Sequence, residues 1–269
     1  MLLTFRRNSD PDAGSTEINE VTMEFDGKVV VVTGGSRGMG QEISQAFAAE
    51  GAHVVVASRK VADCEVVAKG AEALHGRRAL AVACNVSDWA QCDTLVDTVY
   101  QEFGRVDVLV NNAGLSPLYP SIDQVTEAYF DKVIGVNLKG PFRLASVIGA
   151  RMAAADGGSI INVSSIEAIR PEPNAIPYAA AKAALNNLTE GLAQTFGPSG
   201  VRVNAIQCGP FLTDIADAWT EEMRVQFDNQ AALRRCGNPD EIIGAALYFA
   251  SERASFCTGA ILRLDGGIR

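Results

Sequence analysis

The chain has 269 residues, 48% hydrophobic and 20% charged, which is enough apolar material for a sizeable core and too much for a disordered polymer. Its 23 Lys and Arg against 32 Asp and Glu give a formal charge of −9, so the surface repels phosphodiester backbones and anionic headgroups, and neither nucleic acid nor a membrane is expected as partner. The six cysteines, at 64, 84, 92, 208, 236 and 257, form no CxxC pair, and no apolar run reaches the roughly 18–20 residues of a membrane span, which together point to a reducing, cytoplasmic setting.

Residues 1–22 mix Asn, Ser, Asp, Pro, Gly, Thr and Glu with no period of 2 or 3.6, and are expected to be a disordered tail ahead of a domain at 23–269. From Lys28 onward, β-branched runs alternate with longer stretches of helical spacing. Strands are predicted at 29–33, 53–57, 79–84, 106–110, 159–163, 201–206 and 260–264, and helices at 39–50, 61–74, 89–103, 127–155, 178–196 and 239–251. Several strands are apolar at successive positions, as suits a parallel sheet covered on both faces. With no composition break, this order predicts an α/β fold: one doubly wound domain with seven mostly parallel strands and helices on both faces.

Directly after the first strand stands Thr33-Gly34-Gly35-Ser36-Arg37-Gly38-Met39-Gly40, opening into a helix. Glycines at 34, 38 and 40 permit a tight turn and close backbone approach, and the free amides of the helix start favour a pyrophosphate, so the loop predicts dinucleotide binding. Further on, Tyr178 and Lys182 are four apart on a predicted helix and share a face. An ammonium held there is expected to pull the tyrosine pKa from ~10 toward neutrality, making Tyr178 a general acid/base. His53 and His75 accompany no ligand-spaced Cys or carboxylates, so no metal is expected.

The spacing Gly34-x3-Gly38-x-Gly40 resembles the TGxxxGxG loop of the short-chain dehydrogenase/reductase superfamily, and other motifs follow in that family's order. Asn111-Asn112-Ala113-Gly114 comes at the fourth strand, Asn137 in the next helix, Ser165 thirteen residues before Tyr178-x-x-x-Lys182, and Asp265-Gly266-Gly267 after the last strand. The resemblance covers about residues 25 to 269. It implies a Rossmann-like fold and a catalytic set of Asn137, Ser165, Tyr178 and Lys182. Ser165 would hydrogen-bond the substrate oxygen, Lys182 would reach the nicotinamide ribose, and Asn137 would hold a water at an irregularity of its helix. The implied cofactor contacts are Gly34, Ser36, Arg37, Gly38, Met39 and Gly40 in the loop, Asn85 and Val86 after the third strand, and Asn111, Ala113 and Gly114 after the fourth. Tyr178 and Lys182 join them, with Gly209, Phe211 and Thr213 beside the nicotinamide. Here Cys208 stands where the family has proline, and Phe211 where it has isoleucine.

At the end of the second strand an acidic residue would favour NAD(H), by accepting from the ribose 2′-hydroxyl. This chain has Ser58, Arg59 and Lys60 there, with Arg37 in the loop, a set suited to a 2′-phosphate. NADP(H) is therefore the expected cofactor, with NAD(H) the alternative. Substrate contacts are expected from 116–122, 166–174 and a helical lid at 212–235, which bring Tyr119, Ile166, Glu167, Arg170, Trp219 and Phe227. The expected reaction passes hydride between nicotinamide and a carbonyl or secondary alcohol of a small molecule. The alternatives are an NAD-dependent sugar, polyol or steroid alcohol dehydrogenase, a 3-oxoacyl-thioester reductase, and a dinucleotide-binding regulator. No basic patch precedes the fifth strand to dock an acidic carrier protein, which favours free substrates over carrier-bound ones. The family also implies a homodimer or homotetramer.

Overall fold

A computed structural model of the protein describes residues 23–214 and 216–268; the expected tail at 1–22 lies outside the described residues. Seven strands form one sheet: β1 Val29–Thr33, β2 His53–Ser58, β3 Ala79–Ala83, β4 Val108–Asn111, β5 Gly158–Ser165, β6 Val201–Cys208 and β7 Ile261–Leu264. Their order is β3-β2-β1-β4-β5-β6-β7, and every pairing is parallel, so the expectation of a mostly parallel sheet becomes an entirely parallel one.

The sheet is buried on both sides because its strands carry apolar residues at successive positions. In β1, Val30 and Val32 join the core layer of α1 (Gly38–Ala49) and α2 (Val61–His75), through Ile43, Phe47 and Val67. Val29 and Val31 face the opposite layer, built by α3 (Trp89–Phe103), α5 (Gly140–Ala153) and α6 (Ile176–Phe196) through Leu95, Leu144, Ile148 and Leu192. Helix α3 starts and stops where expected, because the Asp88 side chain accepts from the Gln91 amide at 3.1 Å and Gly104 ends the helix in the left-handed conformation.

Several boundaries differ from the sequence reading. The helix expected at 127–155 is two, α4 (Glu127–Ile134) and α5, joined by a π-helical turn at Gly135–Lys139. The chain approaches the end of β3 closely there: a Cβ on Gly140 would lie 2.4 Å from the Val86 carbonyl oxygen. The helical lid at 212–235 contracts to α7 (Glu221–Gln230), started by Thr220, whose side chain accepts from the Met223 amide at 3.3 Å. Strand β5 runs to Ser165, whose backbone still pairs with Cys208 of β6, so the serine closes the strand rather than following it. The last helix, α8, is Ile243–Ala250, shortened by a 3-10 turn at Pro239–Ile242.

Between β1 and β4 the strand order reverses direction, since successive crossovers run outward from this point on either side. In open parallel sheets a crevice forms there, beyond the carboxyl ends of the strands.

Candidate active site

A cleft of about 940 Å³ occupies that position. One end is bounded by Gly34, Ser36, Arg37, Gly38, Met39 and Gly40, which make the turn from β1 into α1. Arg37 at the helix start provides no side-chain cap, so the first-turn amides, which have no intrahelical acceptor, are left as donors toward the cleft. The turn is tightly packed, since a Cβ on Gly40 would lie 2.2 Å from the Gly34 carbonyl oxygen. Asn112, absent from the expected contacts, braces it: its Nδ2 donates to the Thr33 carbonyl at 2.9 Å and the Gly34 carbonyl at 3.2 Å. Thr33 Oγ1 accepts from the amides of Asn112 and Ala113, both at 3.1 Å, tying β1 to the end of β4.

Ser58, Arg59 and Lys60 line the same end of the cleft. Ser36 Oγ donates to Ser58 Oγ at 3.0 Å, joining loop and second strand. Arg37 Nη1 makes an ion pair with Asp214 at 2.7 Å, a partner that nothing in the loop sequence signals. Asn85, Val86, Ala113 and Gly114 line the cleft's middle, and Gly209, Phe211 and Thr213 its side wall. Orphan amides beside hydroxyls and cations suit the phosphates of a dinucleotide. Asn111 is the exception. Its side chain is buried beneath the cleft, and Nδ2 donates to Asn162 Oδ1 at 2.9 Å, so it stabilises the sheet instead of lining the crevice.

At the other end, β5 and α6 bring three expected groups together. Ser165, Tyr178 and Lys182 all line the cleft, with the Ser165 hydroxyl near enough to the Tyr178 phenol to act on its proton affinity. Ser165 Oγ also accepts from the Glu167 amide at 3.2 Å, which orients it. Ser164, its neighbour, instead turns its hydroxyl to the Lys182 carbonyl at 3.4 Å. Lys182 Nζ donates to the Val163 carbonyl at 2.7 Å and lies 5.6 Å from the centre of the Tyr178 ring. Asn137 sits in the π-turn, the irregularity expected of its helix, fully buried behind the cleft. Its Nδ2 donates to the carbonyls of Leu115 at 2.8 Å and Val133 at 2.9 Å.

The electrostatics correct one expectation. Lys182 does not bring Tyr178 to neutrality; burial pushes the phenol above its ordinary value, and the neighbouring Ser165 hydroxyl offsets this only in part. Burial likewise brings Lys182 down to about 8, since an ammonium in this environment loses solvation. Cys208 lies close enough to Lys182 to feel its charge, yet burial pushes the thiol up to about 12, leaving it protonated and inert.

The sequence model of the family described as Enoyl-(Acyl carrier protein) reductase matches residues 34–269. The chain is 36% identical over 255 residues to a short chain dehydrogenase/reductase of Aspergillus oryzae, astE, covering 93% of this chain and 98% of that protein. It is likewise 36% identical over 249 residues to meso-2,3-butanediol dehydrogenase of Serratia marcescens, covering 91% and 96%. Among solved structures, L-sorbose reductase of Gluconobacter frateurii, complexed with NADPH and L-sorbose, superposes with a TM-score of 0.86 at 32% identity, over 92% of this chain and 98% of that one.

Proposed function

Since the chain belongs to the short-chain dehydrogenase/reductase superfamily and is an oxidoreductase, we propose that it is an NADP(H)-dependent enzyme interconverting a small-molecule carbonyl and its secondary alcohol. The observation that carries this reading is the meeting of Ser165, Tyr178 and Lys182 in the same cleft as the uncapped start of α1. Gly34, Ser36, Gly38, Met39 and Gly40 would hold the pyrophosphate, and Ser58, Arg59, Lys60 and Arg37 the 2′-phosphate. When bound, the nicotinamide supplies or accepts hydride. Tyr178, kept as a phenol, donates its proton to the substrate oxygen. Ser165 hydrogen-bonds that oxygen and stabilises the charge developing on it. Lys182, an ammonium at neutral pH, favours the phenolate left behind. Asn137 ties the segment at Leu115 to the π-turn through a pair of bonds with the Leu115 backbone.

A second reading, NAD(H) as cofactor, is favoured by the acids at the adenosine end: Asp214 already pairs with Arg37, and Asp63 lines the cleft beside Lys60. Assay of a carbonyl and alcohol panel with NADPH and NADH in parallel separates the two. Higher kcat/KM with NADPH is expected, and equal efficiency would remove the argument from Ser58, Arg59 and Arg37. Tyr178→Phe is expected to lose about 10²–10⁴-fold in turnover, while full activity in that variant would sink the proton-transfer role. Six free thiols, five of them buried, support a cytoplasmic setting. The outward face where Trp89 and Phe142 meet across α3 and α5, each 41% exposed, supports a homodimer or homotetramer. Sedimentation as a monomer at micromolar concentration would contradict that assembly.

A further inference from the structure

Glu167 lies two residues past Ser165, in a 3-10 turn at Ile166–Ala168. Both its ends are fixed. Its amide donates to Ser165 Oγ at 3.2 Å, and its Oε2 accepts from the Glu172 amide at 2.7 Å. The residue is half-buried and lines the cleft with Ser165 and Tyr178. Burial and the neighbouring Glu172 both disfavour its charge, and no cation stands among the groups acting on it. Arg170, three residues on, is directed elsewhere: Nη1 donates to the Ile268 carbonyl at 2.9 Å. Oε1 has no hydrogen-bond partner among the described residues. Oε1 is open to the cleft rather than buried, so a donor entering the cleft can bind it in place of solvent.

Across the cleft, Trp219 and Phe227 form an edge-on pair with ring centres 4.8 Å apart. They offer a carbon skeleton an apolar wall, while Glu167 offers a carboxylate directly beside Ser165. A substrate matched to this arrangement has a carbonyl for Ser165 and Tyr178 and a hydroxyl within one or two carbons of it. A substrate carboxylate at that position would set like charges against each other.

We propose that Glu167 is a specificity-determining residue that accepts a hydrogen bond from a hydroxyl adjacent to the reacting carbonyl, so that the preferred substrates are neutral hydroxy ketones and, in the reverse direction, vicinal diols. This rests on the oxidoreductase reading above and names the substrate class of the same site. In the reduction, the ketone gains hydride at carbon from the reduced nicotinamide and a proton at oxygen from Tyr178. Glu167 takes no part in bond making and acts through binding.

The test uses three compounds of nearly equal shape: 1-hydroxy-2-butanone, 3-pentanone, in which a methyl replaces the hydroxyl, and 2-oxobutanoate. Steady-state reduction by the full chain with NADPH is measured for the wild type, Glu167→Leu and Glu167→Gln. The wild type is expected to favour the hydroxy ketone over 3-pentanone by about 10- to 100-fold in kcat/KM, as a charge-assisted hydrogen bond implies, and to use 2-oxobutanoate least. In Glu167→Leu that preference collapses toward unity through a higher KM for the hydroxy ketone. Glu167→Gln, which keeps an acceptor for the Glu172 amide, retains part of it. A wild-type preference near unity, or one unchanged in both variants, overturns the assignment. Turnover of none of the three, when a wider carbonyl panel is reduced, overturns the assignment alone; reduction of no carbonyl with either cofactor overturns the oxidoreductase reading with it.

Discussion

Tyr178 and Lys182 lie on one helix face, as the i, i+4 spacing requires, but burial sets their proton affinities more strongly than their proximity does. The spacing was legible in the sequence; the burial was not, because desolvation depends on what β5, β6 and the 114–115 segment place around the pair. The consequence is a pH dependence with a definite sign. Lys182, brought down to about 8, is charged below that pH and loses its charge as pH rises through it. Tyr178, pushed up, remains a proton donor across the same range. For ketone reduction, kcat/KM is therefore expected to hold level below pH 8 and fall above it as the Lys182 ammonium is lost. A profile flat to pH 10 would contradict this role for Lys182. Asn111 shows the opposite limit of legibility. Its position in the motif was evident, yet its side chain is spent on Asn162 inside the sheet, while Asn112 does the bracing at the cleft.

At the scale of elements, strand positions were readable because a parallel sheet buried on both faces leaves a continuous apolar signal. Helix α3 was found at its observed bounds, since Asp88 and Gly104 mark its ends in the sequence itself. The π-turn at Gly135–Lys139 left no such signal. Periodicity alone reads 127–155 as one helix, and only the family resemblance pointed to an irregularity at Asn137; in the fold the chain passes closely over Val86 at Gly140. The turn from β1 to α1 belongs to the same scale. A Cβ at position 40 meets the Gly34 carbonyl of the turn as well as the Asn112 amide that braces it, and the backbone cannot yield cheaply. Gly40→Ala is expected to cost about 4 kcal/mol or more in urea unfolding and to weaken cofactor binding. A loss under about 1 kcal/mol with binding intact would show that the turn relaxes easily.

For the whole molecule, the excess of acid over base is global, while Arg37, Arg59 and Lys60 gather at one end of a single cleft. That clustering is visible in sequence only because the strand and loop positions could be assigned. The Asp214 partner of Arg37 comes from a segment nearly 180 residues away and could not be read beforehand. Removing that acid should free Arg37 for a 2′-phosphate. Asp214→Asn is expected to tighten NADPH binding by about 0.2–1 kcal/mol in a fluorescence titration, with little change for NADH, since the pair is exposed and screened. Equal effects on both cofactors would place Arg37 away from the 2′-phosphate. The central claim is hydride transfer from nicotinamide to a carbonyl carbon at Tyr178. It is tested most directly by reducing a ketone with NADPH deuterated at both C4 positions and analysing the alcohol by mass spectrometry. The account predicts a single deuterium, bonded to the carbinol carbon; an alcohol formed without deuterium would contradict it.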